Sequence, residues 1–184
     1  MPVPLVDLRI VGEGGEAAWD GKAVGEVQVH GPFITGGYHG VDDRSRVSED
    51  GWLRTGDVAC VDPQGYVRIT DRTKDLIKSG GEWISSVDLE NALMAHPAVA
   101  EAAVIAIAHE KWGERPLACV VLKPGQSAAP AELNAMLAKR FAKWQLPDAY
   151  EFIAEIPRTS TGKFWKAKLR ERYATYRLPA RETG

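Results

Sequence analysis

The first seventy residues alternate between apolar and polar positions over short stretches that glycine-rich turns separate. LVDLRIV, residues 5–11, and GEVQVHG, residues 25–31, each follow the alternation of a half-buried strand. DVACVDPQGYVRITD predicts a hairpin of Asp57–Val61 and Tyr66–Asp71, because Gly65 in the DPQG turn tolerates a positive φ. No helical pattern fits this part, so we expect a β-rich unit.

From Arg72 onward, helical periodicity alternates with runs of β-branched residues. Ser85 and Asp88 form the S-x-x-D pattern of a capping box, which opens the first helix. The predicted helices occupy residues 85–95, 130–144 and 165–176, and the predicted strands occupy residues 99–108, 117–123 and 150–156. Apolar spacing places Trp144 on the core face of the second helix. Residues 72–184 are therefore predicted to be a compact α+β domain with a small sheet flanked by helices.

Composition narrows the class of protein. The 184 residues are 45% hydrophobic with a formal net charge of −2, which indicates a globular core and argues against a nucleic-acid partner. No apolar run reaches the roughly 18–20 residues of a transmembrane segment, and the first residues lack a signal-peptide pattern, so we expect a cytoplasmic protein. Cys60 and Cys119 lie far apart in sequence without a neighbouring His or Cys, which favours buried thiols over a metal site or a disulfide.

The loop IPRTSTGKF, residues 156–164, has the look of a phosphate-binding loop but lacks its essential parts. Such a loop needs a glycine five residues before the Gly-Lys pair and a hydroxyl residue after the lysine. Pro157 and Phe164 occupy those two positions. Lys163 is therefore a cation on a short polar loop without a phosphate cradle of its own.

Two charged stretches each allow two interpretations. In GWLRTGD, the carboxylate of Asp57 could accept both hydroxyls of a ribose, or it could simply cap a tight turn. In DRTKDLIK, Arg72 offers a planar donor fork, and Lys74 and Lys78 are mobile cations. This second stretch fits a solvated linker as well as a hinge that grips a ligand.

SGGEWISS, residues 79–86, combines flexible backbone with a flat ring. Gly80 and Gly81 allow a ligand to approach the backbone closely, and Trp83 offers a surface for stacking. An ordinary Gly-Gly turn beside a core tryptophan explains the same letters. The stretch by itself does not decide between these readings.

Four stretches, GPFITGGY, GWLRTGD, DRTKDLIKSGG and PRTSTGK, occur in this order along the chain. Together they resemble the adenylate-forming enzymes, the superfamily of acyl-CoA synthetases, firefly-type luciferases and peptide-synthetase adenylation domains. KSGGEWISSVDLENALMAHPAVAEAAV is most similar to medium- and long-chain fatty-acyl-CoA synthetases. The resemblance implies that residues 1–71 are the last subdomain of the AMP-binding N-terminal domain, a fragment of a distorted barrel. It implies that residues 72–184 are the mobile C-terminal domain.

The resemblance also implies nucleotide-binding roles for five residues. Asp57 is expected to hold the ribose hydroxyls, with Arg72 against the same sugar or a phosphate. Lys74 occupies the hinge position of the family. Together with Lys78 and Trp83, it is expected to contact ATP or the acyl-adenylate.

The remaining implied roles concern the acyl group. Gly80 and Gly81 are expected to let the pantetheine arm of coenzyme A pass close to the backbone. Lys163 is expected to be the catalytic lysine that bridges the carboxylate substrate and the α-phosphate during adenylation. ATP, AMP and coenzyme A are thus the implied ligands, with a fatty acid as the favoured substrate.

Several parts of such an enzyme have no counterpart in the chain, namely the phosphate loop, the aromatic nucleotide wall, the acyl pocket and the ligands of the Mg2+ that accompanies ATP. We therefore predict the C-terminal part of an acyl-CoA ligase that needs a missing N-terminal domain, is inactive alone and tends to self-associate. An amino-acid adenylation domain and a non-catalytic module that binds nucleotide or CoA remain alternatives.

Overall fold

A computed structural model describes residues 2–12, 14–36 and 44–179. The chain divides into two units, Met1–Lys74 and Asp75–Gly184. Each unit is built around its own sheet, and the architecture is the mixed α+β class that the sequence predicts. The functional assignment of residues 1–71 and 72–184 to two enzyme domains stays a prediction.

The first unit is a five-stranded antiparallel sheet in the order β2-β1-β3-β4-β5. Its strands are β1 (Asp7–Gly12), β2 (Gly15–Glu16), β3 (Gly25–His30), β4 (Leu53–Val61) and β5 (Val67–Arg72), with a 3-10 turn at Arg44–Arg46. Ile10, Val27, Ala59 and Val61 form its buried core. The predicted β4–β5 turn is confirmed, since Gly65 has a φ of +83° and its N–H donates to the carbonyl of Asp62 at 2.9 Å.

Over its described residues, 75–179, the second unit combines a five-stranded sheet with three α-helices. Its strands are β6 (Ile77–Ser79), β7 (Glu82–Ile84), β8 (Val99–His109), β9 (Gly113–Leu122) and β10 (Ala149–Phe152). Its helices are α1 (Ser86–Met94), α2 (Pro130–Leu137) and α3 (Lys166–Arg172), with a 3-10 turn at Lys143–Gln145. Strand β9 lies between β8, which is antiparallel to it, and β10, which is parallel.

Both faces of the β8–β9 ribbon are buried. Ala102 and Val104 pack in a core cluster with residues of α1 and α2, whereas Ala103 and Ile105 pack in a second cluster with Leu169 of α3. Alternate side chains of a strand point to opposite faces, so burial on both sides requires an almost continuous apolar run. This is why β8 is easily recognised in the sequence.

The predicted helix over residues 130–144 is too long. The α-helix ends at Leu137, and the chain continues in tighter turns in which the N–H of Arg140 donates to the carbonyl of Leu137 at 2.9 Å. Trp144 belongs to a separate 3-10 turn and is 40% exposed, so its predicted core position is wrong. The helical spacing of apolar residues carries no signal for where the helix stops.

The N-terminal capping signal is confirmed, because the Ser85 hydroxyl accepts the N–H of Asp88 at 3.1 Å. Strands β6 and β7 are not predicted by the sequence, since three-residue strands are too short for a period-2 pattern. In the described part of the chain, no helix combines the length and the hydropathy that crossing a membrane requires.

Candidate functional site

Asp57 and Arg72 lie opposite each other on neighbouring strands of the first unit. A β-bulge between Val58 and Ala59 sets the β4–β5 register, in which Asp57 pairs with Arg72. Arg72 Nε donates to Asp57 Oδ1 at 2.9 Å, and both side chains are partly exposed. A ligand hydroxyl can therefore approach the carboxylate from solvent while the guanidinium holds it in place.

A basic groove of about 530 Å3 lies beside this pair within the first unit. Its lining includes Arg46, Arg54, Arg72 and Lys74, with Glu26 as an opposing charge. The surplus of positive charge and the neighbouring hydroxyls of Ser45, Thr55 and Thr73 suit an anionic ligand. The sequence predicts binding roles for Arg72 and Lys74 only. Arg46 lies outside the quoted motifs, and Arg54 is part of GWLRTGD, in which only Asp57 was given a role.

Arg9 holds the start of the GWLRTGD stretch. Its guanidinium lies 4.4 Å from the centre of the Trp52 ring, and its two terminal nitrogens donate to Asp50 at 2.6 and 2.9 Å. The hydrogen bond raises the pKa of Arg9 and holds the pKa of Asp50 well below its usual range. Arg9 belongs to β1, so its distance in sequence from GWLRTGD hides this contact.

Gly80 and Gly81 form the two-residue turn between β6 and β7 in the second unit. Their φ values are +62° and +87°, which is the left-handed conformation that a type I′ hairpin turn requires at both central positions. In this hairpin Lys78 pairs with Trp83, so both side chains lie on one face. The backbone N–H of Lys78 donates to Glu114 Oε2 at 2.8 Å.

The two glycines of the turn have different surroundings. A Cβ on Gly80 would lie 2.8 Å from Cε3 of Trp112, and the Gly80 N–H donates to the Trp112 carbonyl at 2.9 Å. A Cβ on Gly81 would meet no atom within 4 Å. Gly80 thus makes room for a tryptophan of its own unit, and Gly81 is the glycine with open space beside it.

A buried arginine, Arg115, donates to the residue just before the turn of this hairpin. Arg115 is 3% exposed, and it donates to Ser79 Oγ at 2.8 Å and to Asp148 at 2.7 and 3.0 Å. It also donates to the carbonyls of Trp144 at 2.6 Å and Leu146 at 3.1 Å. One side chain therefore joins the residue before Gly80 to the segment around the 3-10 turn, and the sequence analysis did not identify it.

Lys163 lies on a tight loop between β10 and α3. The loop is closed by an isolated β-bridge between Arg158 and Phe164. Within it, the N–H of Thr159 donates to the Lys163 carbonyl at 2.8 Å, and Gly162 turns the chain with a φ of +81°. Lys163 is exposed, and among the described residues its ammonium group has no hydrogen-bond or ion-pair partner. The loop thus presents a free cation on an ordered backbone.

A second buried ion pair anchors the helix that follows this loop. Lys166 Nζ lies 2.6 Å from Glu90 Oε1 and donates to Ser86 Oγ at 2.7 Å. Glu90 Oε1 also accepts the backbone N–H of Val104 at 2.7 Å. The first turn of α3 is therefore tied to α1 and β8, three residues beyond Lys163.

The cysteines are core residues, as predicted. Cys60 and Cys119 are both free and buried, and burial raises the pKa of the Cys119 thiol to about 12. Within residues 2–12, 14–36 and 44–179, no group of three or more His, Cys, Asp and Glu side chains is placed to hold a metal ion.

The structure brings two pairs of the predicted residues together. Asp57 pairs with Arg72 in the first unit, and Lys78 lies opposite Trp83 in the second. Lys163 belongs to a separate loop of the second unit. The last two residues of the GPFITGGY motif, at positions 37 and 38, lie outside the described residues.

Comparison with known proteins shows which protein family the second unit resembles. Residues 88–163 match the family model described as the AMP-binding enzyme C-terminal domain. This match covers most of the second unit, from α1 to the Lys163 loop. The second unit is therefore similar to the C-terminal domain of AMP-binding enzymes.

Two curated relatives are similar to nearly the whole chain. The chain is 63% identical over 180 residues to a long-chain-fatty-acid–CoA ligase of Thermus thermophilus, covering 96% of this chain and 33% of the relative. It is 47% identical over 169 residues to a medium-chain-fatty-acid–CoA ligase of Ectopseudomonas oleovorans, covering 91% of this chain and 31% of the relative. The chain thus spans about a third of the length of these curated relatives.

A solved structure shares the fold. ATP-bound MatB from Rhodopseudomonas palustris superposes with a TM-score of 0.82 at 33% sequence identity. The alignment covers 93% of this chain and 34% of MatB. The fold and the family resemblance therefore agree over nearly the whole chain.

Proposed function

We propose that this chain supplies the C-terminal part of an AMP-forming acyl-CoA ligase. In the first half-reaction, a carboxylate oxygen attacks the α-phosphorus of ATP and pyrophosphate leaves. In the second, the thiol of coenzyme A attacks the acyl carbonyl and AMP leaves. The similarity to fatty-acid–CoA ligases supports a fatty acid as the substrate.

One observation carries the proposal. Lys163 is an exposed lysine on a loop whose backbone is hydrogen-bonded, and its ammonium group has no partner among residues 2–12, 14–36 and 44–179. Adenylation brings two anions together and builds charge on the oxygens around the α-phosphorus. A positioned cation offsets that charge by several kcal/mol in a site that excludes water. Lys163 is the group proposed to bridge the carboxylate and the α-phosphate.

Each nucleotide-binding residue is proposed to make its own contact with the ligand. Asp57 accepts the ribose hydroxyls, and Arg72 keeps that carboxylate oriented while contacting the sugar or a phosphate. The surplus positive charge of the groove beside them supports this assignment. Lys78 and Trp83 contact ATP or the acyl-adenylate from one face of the β6–β7 hairpin.

Coenzyme A is proposed to pass along the hairpin turn of the second unit. Open space beside Gly81 supports close approach of a ligand there. Gly80 acts in the same site, with the Trp112 ring already against its backbone. Lys74 is the proposed hinge, because it is the last residue before the second unit and few residues need to change conformation for a domain to rotate.

Several further properties belong to the same proposal. The chain alone is inactive and binds ATP no more tightly than about millimolar, because few contacts offset the ordering of the site. It pairs with an N-terminal domain that supplies the phosphate loop, the Mg2+ site and the acyl pocket. It tends to self-associate without that domain. We also propose that it works in the cytoplasm, and the two buried free cysteines support this location.

The test joins this chain to the upstream part of the Thermus thermophilus relative. Lys163→Ala is expected to reduce fatty-acid-dependent ATP–pyrophosphate exchange on the order of hundreds-fold, because the cation stabilises the adenylation step. The second half-reaction does not use this cation. Thioester formation from supplied acyl-adenylate should persist. Lys168→Ala, which removes an exposed lysine on α3, is the matched control.

Equal losses in both half-reactions would refute the assignment of Lys163. Exchange driven by amino acids instead would favour an amino-acid adenylation domain.

A further inference from the structure

Arg158 contacts the residues on both sides of Lys163. Its Nη1 donates to the carbonyl of Gly162 at 2.6 Å, and its guanidinium carbon lies 4.8 Å from the centre of the Phe164 ring. Arg158 and Phe164 also form the β-bridge that closes the loop. A single side chain therefore braces the lysine loop from within.

The same guanidinium is fixed to the central sheet. Its Nη2 donates to Glu101 Oε1, and Glu101 lies in β8 directly after a β-bulge that begins at Val99. A bulge changes the direction in which the next side chains point. Arg158 thus connects the loop to β8, the strand whose side chains fill the cores on both faces of the sheet.

The two ends of the loop are held by one hydrophobic cluster. Ile156 is buried in the core cluster that contains Leu169 of α3, and Phe164 packs against the same cluster. The segment between them, which carries Lys163, lacks such anchoring because Ser160, Thr161 and Gly162 are exposed. Arg158 supplies the contact that this exposed segment needs.

From this geometry we infer that Arg158 is a positioning residue for Lys163, with Glu101 as its anchor. The inference rests on the adenylation role proposed above for Lys163. Arginine suits the task because its planar fork reaches the Gly162 carbonyl and the Glu101 carboxylate at once, whereas a lysine ammonium is a point charge. Displacing a reacting group by about 1 Å can cost on the order of 100-fold in rate.

Two other roles for Arg158 make different predictions. The side chain is 46% exposed, and an ion pair at that exposure adds little to stability. If the pair were only a surface contact, its loss would change neither stability nor rate. If Arg158 bound the nucleotide itself, its loss would chiefly raise the KM for ATP. A positioning role instead lowers kcat for adenylation and leaves that KM nearly unchanged.

The first experiment uses the 184-residue chain and measures amide hydrogen exchange at Thr159 and Gly162. Arg158→Gln is expected to speed exchange at both amides on the order of tenfold, since the loop opens more often without its brace. Arg158→Lys and Glu101→Gln should give smaller increases. Arg140→Gln, which removes another exposed arginine of the same unit, is the matched control. Unchanged exchange in Arg158→Gln would overturn the inference.

The second experiment uses the full-length ligase described above and separates the half-reactions. Arg158→Gln is expected to lower kcat for adenylation between about 10-fold and 100-fold, with thioester formation from supplied acyl-adenylate retained. Arg158→Lys should recover part of the rate. A normal kcat, or an effect confined to the KM for ATP, would overturn the positioning role. If Lys163→Ala itself leaves adenylation intact, the proposed function fails first, and the exchange data then report loop order alone.

Discussion

The Lys163 loop and the Gly80–Gly81 hairpin are two turns of the second unit. Each is held by its own arginine, and the two arginines differ in burial. Arg115 beneath the hairpin is 3% exposed, and its partner Asp148 has 4% of its side chain exposed. Arg158 beside the lysine loop is 46% exposed. Arg115 donates to the residue before its turn, Arg158 donates to a carbonyl within its loop, and both donate to a carboxylate. The main difference between them is burial.

Burial decides what each arginine contributes. Removing one partner of a buried pair leaves an uncompensated charge in the interior, which is strongly destabilising. Removing one partner of an exposed pair leaves a charge that water solvates. We therefore expect the hairpin arginine to contribute mainly to stability and the loop arginine mainly to the placement of Lys163.

The largest expected effect comes from Arg115→Met. It should destabilise the second unit by about 3–5 kcal/mol, because Asp148 and the carbonyls of Trp144 and Leu146 lose their donor. Hydrogen exchange of the β8 and β9 amides in rising urea measures the loss, with Arg140→Met as the control. A loss below about 1 kcal/mol, the range of surface pairs, would break the comparison.

The second prediction separates the two glycines of the hairpin. Gly81→Ala should cost about 1 kcal/mol, the usual penalty of a left-handed conformation for a residue with a Cβ. Gly80→Ala should cost about 2 kcal/mol, because its Cβ also displaces the ring of Trp112. The same urea measurement gives both values, and the indole signal of Trp112 should shift only in Gly80→Ala. Equal costs would mean that the ring moves aside freely.

The smallest effect concerns a partly exposed pair in the first unit, Arg9 with Asp50. The pKa of Asp50 lies below its usual range because Arg9 donates to it. Its contribution to stability is therefore present above the unfolded-state pKa of about 3.9 and is lost as the pH falls below that value. Asp50→Asn should be less stable than the parent at pH 7, and the difference should shrink on acidification. A difference that stays constant between pH 7 and pH 3 would contradict this assignment.

Local sequence was sufficient wherever a short stretch contains its own physical cause. The Ser85 cap, the Gly65 turn and the existence of β8 could be predicted because cap, turn and the apolar run depend on neighbouring residues. The end of α2 could not, since apolar spacing continues to Trp144 although the helix stops at Leu137. The existence of a long apolar strand was therefore more predictable than the length of a helix.

The candidate site divides in the same way. The resemblance to a known family pointed to Lys163, Asp57 and the glycine pair, because each belongs to one of the four stretches that carry it. The contacts that hold these groups come from elsewhere in the chain: Arg158 and Glu101 are 57 residues apart, and Arg115 and Asp148 are 33 apart. Whether such a pair is buried or exposed depends on the packing around it, and only the tertiary structure decides that.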